Sequence, residues 1–292
     1  MAASDSGRSV KSAERVFDLL ETIGREPDGV TFSWLGKQLG IPKSSLHALL
    51  DVLLTRGYVD YDGANRLYSL GIRVWETGQA YQRHHDLLAV ATGVLEAIVE
   101  RVNETAQLAK LSGRENVYLA KVDSTHPLRL QSEVGLRLSA HATGVGKALL
   151  AQLPDDEVVA RFGWGKLAVI TPTTYPTTEA LLEELAITRA RGFAIDNSEY
   201  TPGVFCLAVP VFDTGGERAT TALSVSLPLL RASVGLLSSI LSTIAQASAE
   251  IAARCGGSGT HPSLVALADP AKARRAIAEL AASGRYGLEL PA

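Results

Sequence analysis

Apolar residues in VKSAERVFDLLETIG, residues 10–24, recur at helical spacing: Val10, Ala13, Val16, Phe17, Leu20 and Ile23 share one face. Glu14, Arg15, Asp18 and Glu21 fall largely outside it. The stripe predicts an amphipathic helix that ends at Gly24 and needs a partner to cover it. A second helix is predicted near 32–39, with Thr31 as N-cap and Gly40 as its stop. Pro42 opens a third, at a position where a missing N–H leaves no bond unmade. There Leu46, Leu49, Leu50, Leu53 and Leu54 repeat at i, i+3, i+4, i+7 and i+8 until Gly57. Within 58–70, the runs YVDY and RLYSL flank an Asp-Gly turn, the pattern of a β-hairpin. Three helices and a hairpin in this order, with a very short link between the second and third, make the layout of a winged helix-turn-helix.

Beyond it, residues 71–86 predict a polar-faced helix bridging to the rest, and a longer helix follows at 87–102. The pattern then becomes mixed. Strands are predicted at 105–112, 116–122, 127–131, 193–196, 205–212 and 218–227, and helices at 144–152, 155–162, 178–191 and 235–254. One sheet with helices on its faces organises these segments. GGSGT, 256–260, has linker composition, and 261–292 predicts one short helix at 270–283. The expected division is a disordered tail at 1–8, a winged helix-turn-helix at 9–70, a linker helix at 71–86, a second domain at 87–255 and an extension at 256–292. The fold class is α+β.

Composition narrows the function. At 292 residues the length favours two domains, and 46% hydrophobic content excludes wholesale disorder. Aromatics are only 6%, and the Ala, Val and Leu that replace them suit packed helices with parallel or mixed strands. Two cysteines, Cys206 and Cys255, exclude a disulfide scaffold and fit a reducing, cytoplasmic setting. No apolar h-region opens the chain, and the longest apolar runs break before 18 residues, so neither a signal peptide nor a membrane partner is expected. The net charge of -3 argues against a basic coat, so any DNA contact must be local. Residues 1–85 hold ten Lys/Arg and ten Asp/Glu, while 31–57 hold three against one. The surplus sits in the helix-turn-helix itself.

The first turn of the third helix offers a cation, two hydroxyls and an imidazole: Lys43, Ser44, Ser45 and His47. Such a turn can contact phosphates and base edges, with Arg66 of the hairpin adding a phosphate contact. The plain alternative is a solvated helix face. In the second domain, Gly144 and Gly146 stand just ahead of a helix in HATGVGKALL, where free N–H groups can hold an anion; the spacing is not that of a P-loop, and close helix–strand packing is the more usual reason for such a turn. Asp196 ends the strand FAID, Cys206 opens FCLAVPVF, and Ser224 and Ser226 face one side of TALSVSLP. Together they could line the polar end of an apolar pocket; alternatively the thiol is a buried small hydrophobe and the serines satisfy backbone groups. No metal site is expected, since His84 and His85 lack partners at ligand spacing. An enzyme reading would use Cys206 as nucleophile with His141 or His126 as base. A protein-binding winged helix is a third possibility.

The stretches SVKSAERVFDLLETI and LGIPKSSLHALLDVLLTRGYV, then LRLSAHATGVGKALLAQL, RGFAIDNSEYTPGVFCLAVPVFDTGGE and ALSVSLP, together resemble the IclR (isocitrate lyase regulator) family of bacterial transcription factors over residues 8–254. The resemblance implies a GAF-like effector domain and dimers or tetramers on double-stranded operator DNA. It further implies a small organic effector, a carboxylate or aromatic acid, and neither enzymatic activity nor a cofactor. By motif position the effector contacts fall on Gly144, Val145, Asp196, Cys206, Ser224 and Ser226. Two positions depart from the pattern. Ala48 stands where the family commonly has Arg, and Leu227 where it often has Gly. The tail from Gly256 has no counterpart.

Overall fold

The computed structural model describes residues 10–83, 86–127, 133–212, 218–256, 262–288 and 290–291. The expected tail at 1–8, nearly all of the strand at 127–131 and most of the 256–260 linker lie outside the described residues. The chain divides into two compact units, Met1–His85 and Asp86–Ala292.

In the first unit, α1 (Lys11–Gly24), α2 (Phe32–Leu39) and α3 (Lys43–Thr55) precede a two-stranded sheet of β1 (Val59–Asp62) and β2 (Leu67–Leu70), and α4 (Ile72–Arg83) follows. The Thr31 side chain caps α2 by accepting from Trp34 N at 3.3 Å, and Gly40 closes it with φ 61°. Leu35, Ile41, Leu46, Leu50 and Leu53 meet Leu19 and Ile23 of α1 and Val59 of β1 in one small core. The face that α1 buries is rotated from the predicted one. Leu19 and Ile23 are buried with Val16 and Leu20 beside them, whereas Val10 is 65% and Phe17 63% exposed. At 100° per residue, Phe17 stands too far round from a seam centred on Leu19 and Ile23. Val10 is the extended residue before the helix.

The second unit opens with α5 (Asp86–Val102) and builds one sheet from β3 (Thr105–Ser112), β4 (Glu115–Val122), β5 (Arg137–Ser139), β6 (Ala194–Asn197), β7 (Val204–Val211) and β8 (Thr221–Pro228). The order is β5-β4-β3-β8-β7-β6, and every neighbouring pair is antiparallel. This corrects the expectation of parallel or mixed strands. The apolar runs arise because α9 (Val234–Arg254) and α6 (Gly144–Leu150) both pack on β7 and β8, leaving nearly every residue of those strands buried. Helices α7 (Asp155–Phe162) and α8 (Thr178–Arg191) form a satellite core with the end of α6.

By length and composition α9 could cross a bilayer, yet it is a core helix: Leu237, Ile240, Leu241, Ile244 and Ile251 are fully buried. The tail contains two helices rather than one, α10 (Pro262–Leu267) and α11 (Pro270–Ala282). Leu264, Leu267, Ala273, Ile277 and Leu280 join the main core, so the segment is packed against α9.

Candidate functional site

The first candidate is the outer face of α3. Burial of Leu46, Leu50 and Leu53 turns Lys43, Ser44, His47, Ala48 and Asp51 to solvent, with Ser45 half-buried. The His47 ring meets the Phe32 ring edge-on at 6.2 Å, which orients the imidazole without a hydrogen bond. Arg66 is exposed in the hairpin turn at φ 58°. That turn is stiffened by Asp62, whose Oδ1 accepts from Ala64 N at 2.9 Å and whose Oδ2 accepts from Asn65 Nδ2 at 2.7 Å. These bonds hold the Asp62 carboxyl below the usual carboxylate range.

The second candidate is a cavity of about 310 Å³ at the α6 end of the large sheet. Its floor is a row of register partners: Asp196 on β6 opposes Cys206 on β7, which opposes Ser226 on β8. One row along, Ala208 opposes Ser224, which opposes Gln107 on β3. Residues two apart share a face, so both rows lie under the same roof. The Gln107 Oε1 accepts from Ser226 Oγ at 3.3 Å and from Ser224 Oγ at 3.4 Å, tying the two rows together.

A register shift at Leu108/Ala109 makes Tyr118, rather than its neighbour, the partner of Ala109. This bulge swings the phenol onto the cavity face. The remaining walls include Leu136, Leu138, Tyr200 and Val204.

Gly144, Asp196, Cys206 and Ser226 therefore line the cavity. Val145 does not; it is buried in the core beneath the sheet-packing face of α6. Ser224 sits behind Gln107. The glycines of the α6 turn have packing reasons of their own. A Cβ on Gly144 would lie 2.9 Å from Cys206 Sγ, and one on Gly146 would lie 2.1 Å from Ala140 O. Thr143 caps the helix by accepting from Gly146 N at 3.2 Å and donates to Asn116 Oδ1 at 2.7 Å.

Sequence reasoning missed the charged group beside this row. Lys147, fully buried on α6, donates from Nζ to both carboxylate oxygens of Glu199 at 2.5 Å and lies 4.9 Å from the Tyr175 ring centroid. Glu199 N in turn donates to Asp196 Oδ1 at 2.7 Å. Thr174 Oγ1 donates to Glu199 O at 2.6 Å and Thr171 Oγ1 to Ser198 O at 2.7 Å, fixing the loop. Burial, reinforced by the Glu199 charge and opposed by Lys147, pushes the Asp196 carboxyl up to about 7. Burial also pushes the Cys206 thiol up to about 12, with the nearby Asp196 adding to it.

A thiol held so far above neutrality is a poor nucleophile. Neither candidate base stands among the lining residues. His141 Nε2 bonds Ala168 O at 2.9 Å on another surface recess, and His126 Nε2 lies 3.9 Å from Glu104. Among the described residues, no cluster of three or more His, Cys, Asp or Glu could hold a metal ion.

Comparison with known proteins agrees with this arrangement. Residues 12–63 match the family described as IclR helix-turn-helix domain, and residues 79–253 match Bacterial transcriptional regulator IclR C-terminal. The HTH-type transcriptional regulator XynR of Escherichia coli K12 is 35% identical over 217 residues, covering 74% of this chain and 86% of that protein. The IclR structure of Thermotoga maritima aligns with TM-score 0.69 and 26% identity, covering 85% of this chain and all of that one (100%). An IclR homologue from Microbacterium hydrocarbonoxydans, crystallised with 4-hydroxybenzoate, aligns with TM-score 0.72 and 26% identity over 84% of this chain and 99% of that one. A helix-turn-helix unit followed by a sheet domain, each matched by its own family model, places the chain in the IclR family of DNA-binding transcriptional regulators.

Proposed function

We propose that the cavity floored by Asp196, Cys206 and Ser226 is the effector site, and that its ligand is a small organic acid of roughly the size of 4-hydroxybenzoate. The observation that carries this reading is the row of polar groups in a cavity whose lining also includes the apolar side chains of Leu136, Leu138 and Val204. A pocket of this kind orients a ligand by its polar end and holds it by its apolar body. Gly144 admits the ligand close to the sheet, and Ser224 acts through Gln107. Val145 supports the wall from the core.

Residues 9–70 are the DNA-binding domain in this reading, 87–255 the effector domain and 256–292 an extension, with 71–86 the covalent link through which the two are coupled. Lys43, Ser44, Ser45, His47 and Arg66 contact the operator. Near-neutral overall charge makes a single winged helix a weak binder, so the working form is a homo-oligomer presenting paired helices to paired half-sites in the cytoplasm. The protein is a switch and not a catalyst, a role supported by a Cys206 thiol that stays protonated near neutrality.

Binding of the full chain to DNA from upstream of its own gene, followed by fluorescence anisotropy, tests the reading. Asp196→Ala is expected to bind the operator as tightly as the parent while losing its response to organic acids. A variant that keeps the full response overturns the site assignment.

A further inference from the structure

The cavity is electrostatically one-sided. Among the described residues that line it there is no Lys, Arg or His; its polar groups are a carboxyl, a thiol, an amide and hydroxyls. The nearby cation, Lys147, is fully buried and donates to both oxygens of Glu199, so its charge is already matched. The groups that face Asp196 are Glu199 and Tyr200 from its own loop, Lys147 from α6, Cys206 from β7 and Tyr118 from β4. With the Tyr118 phenol and the Cys206 thiol held protonated and Lys147 paired with Glu199, this cluster gains a net negative charge only when Asp196 loses its proton.

We propose that the cavity takes a small carboxylic acid only together with a proton, so that the ligand carboxyl and Asp196 hold one negative charge between them instead of two. The inference rests on the reading of this cavity as the effector site. Two carboxylates brought together in a cavity with no cation among its described lining residues disfavour each other's ionisation. The empty site already leans this way, since burial and the Glu199 charge hold Asp196 near neutrality, partly offset by Lys147. A second carboxylate raises Asp196 further, and binding above that point draws a proton from solvent. Affinity for the acid is then flat from the ligand's own carboxyl range up to about pH 7 and falls tenfold for each pH unit above that. An uncharged amide of the same shape has no second charge to settle and lacks this dependence.

The test is isothermal titration calorimetry of the full chain with 4-hydroxybenzoate and with 4-hydroxybenzamide at pH 6, 7 and 8. The pH 8 titration is repeated in two buffers of different ionisation enthalpy, which reads proton uptake directly. The acid is expected to bind about tenfold more weakly at pH 8 than at pH 6 and to take up close to one proton at pH 8. The amide should change less than about twofold. Asp196→Asn, which preserves the acceptor for Glu199 N, should bind the acid with no pH dependence over this range. Equal affinity for the acid at pH 6 and pH 8, with no proton uptake, overturns the proposal and leaves the cavity reading standing. Failure of both probes to bind the parent chain at any pH overturns the cavity reading and the proposal with it.

Discussion

At the scale of single residues, the α6 turn carries the tightest constraints. Gly146 admits no side chain, because its Cβ would sit inside the Ala140 carbonyl, and the collision is with backbone. Gly146→Ala should therefore cost about 3 kcal/mol, at the upper end of overpacking penalties, measured by urea unfolding. Gly144 differs, since its obstacle is the Cys206 sulfur. Gly144→Ala should be destabilising alone and substantially rescued by Cys206→Ala, a coupling that a double-mutant cycle would read. Asp196 sets a pH dependence on stability. Its folded carboxyl stands near 7 against an ordinary value of 3.8, so folding takes up a proton. The corresponding stability is complete below about pH 4 and is lost as pH rises to about 7. Asp196→Asn should thus be more stable than the parent at pH 8 by a few kcal/mol, with more than half of that advantage gone at pH 5 and all of it below about pH 4, as read by thermal melts.

At the scale of elements, α3 presents the proposed DNA-facing chemistry and packs, like α2, against α1. Thr31→Ala removes the α2 cap and should cost about 1 kcal/mol. Lys43→Ala should weaken operator binding at low salt and reduce the slope of log K against log salt by about one, as expected of a lost phosphate contact. Much of this level was legible in the chain. Leucine spacing marks α3, and short apolar runs mark β3, β7 and β8, because burial on one or two faces dictates those patterns. What escaped has local causes. Tyr118 faces the cavity through a bulge that no alternation rule foresees. The α1 face was misjudged because Phe17 is apolar yet exposed. The three-residue β5 is too short to carry a period, and strand direction is set by neighbours distant in sequence. Among the proposed effector positions, Asp196, Cys206 and Ser226 stood out in the chain and strand register brings them into one row, whereas the Lys147–Glu199 pair required the fold to bring α6 onto the loop.

At the scale of the molecule, the C-terminal segment is structural. Val234 N donates to Pro291 O at 2.9 Å, Asn197 Nδ2 donates to Tyr286 O at 2.8 Å, and the Tyr286 hydroxyl donates to the buried Glu184 carboxylate at 2.9 Å. Asn197 follows Asp196 on β6, so the tail braces the strand that floors the cavity. Truncation after Cys255 removes Leu264, Leu267, Ile277, Leu280 and Leu288 from the core and uncovers the side of α9 on which α10 and α11 pack. It should lower the melting temperature by about 10 °C or more, given ~1.5–3 kcal/mol per large side chain removed from its packing.

The strand order has a further effect, on synthesis. The sheet is two local meanders, β3-β4-β5 and β6-β7-β8, joined at a single seam where Thr105 pairs with Ser226. The helix-turn-helix needs only residues already made, and its contacts are local. The seam must wait until β8 has left the ribosome, and such non-local pairing forms slowly. During translation the chain therefore passes through a stage in which the helix-turn-helix can be folded while the cavity floor is still incomplete, with the β3 edge of the first meander open to chaperones. Conditions that slow elongation between β3 and β8 lengthen that stage.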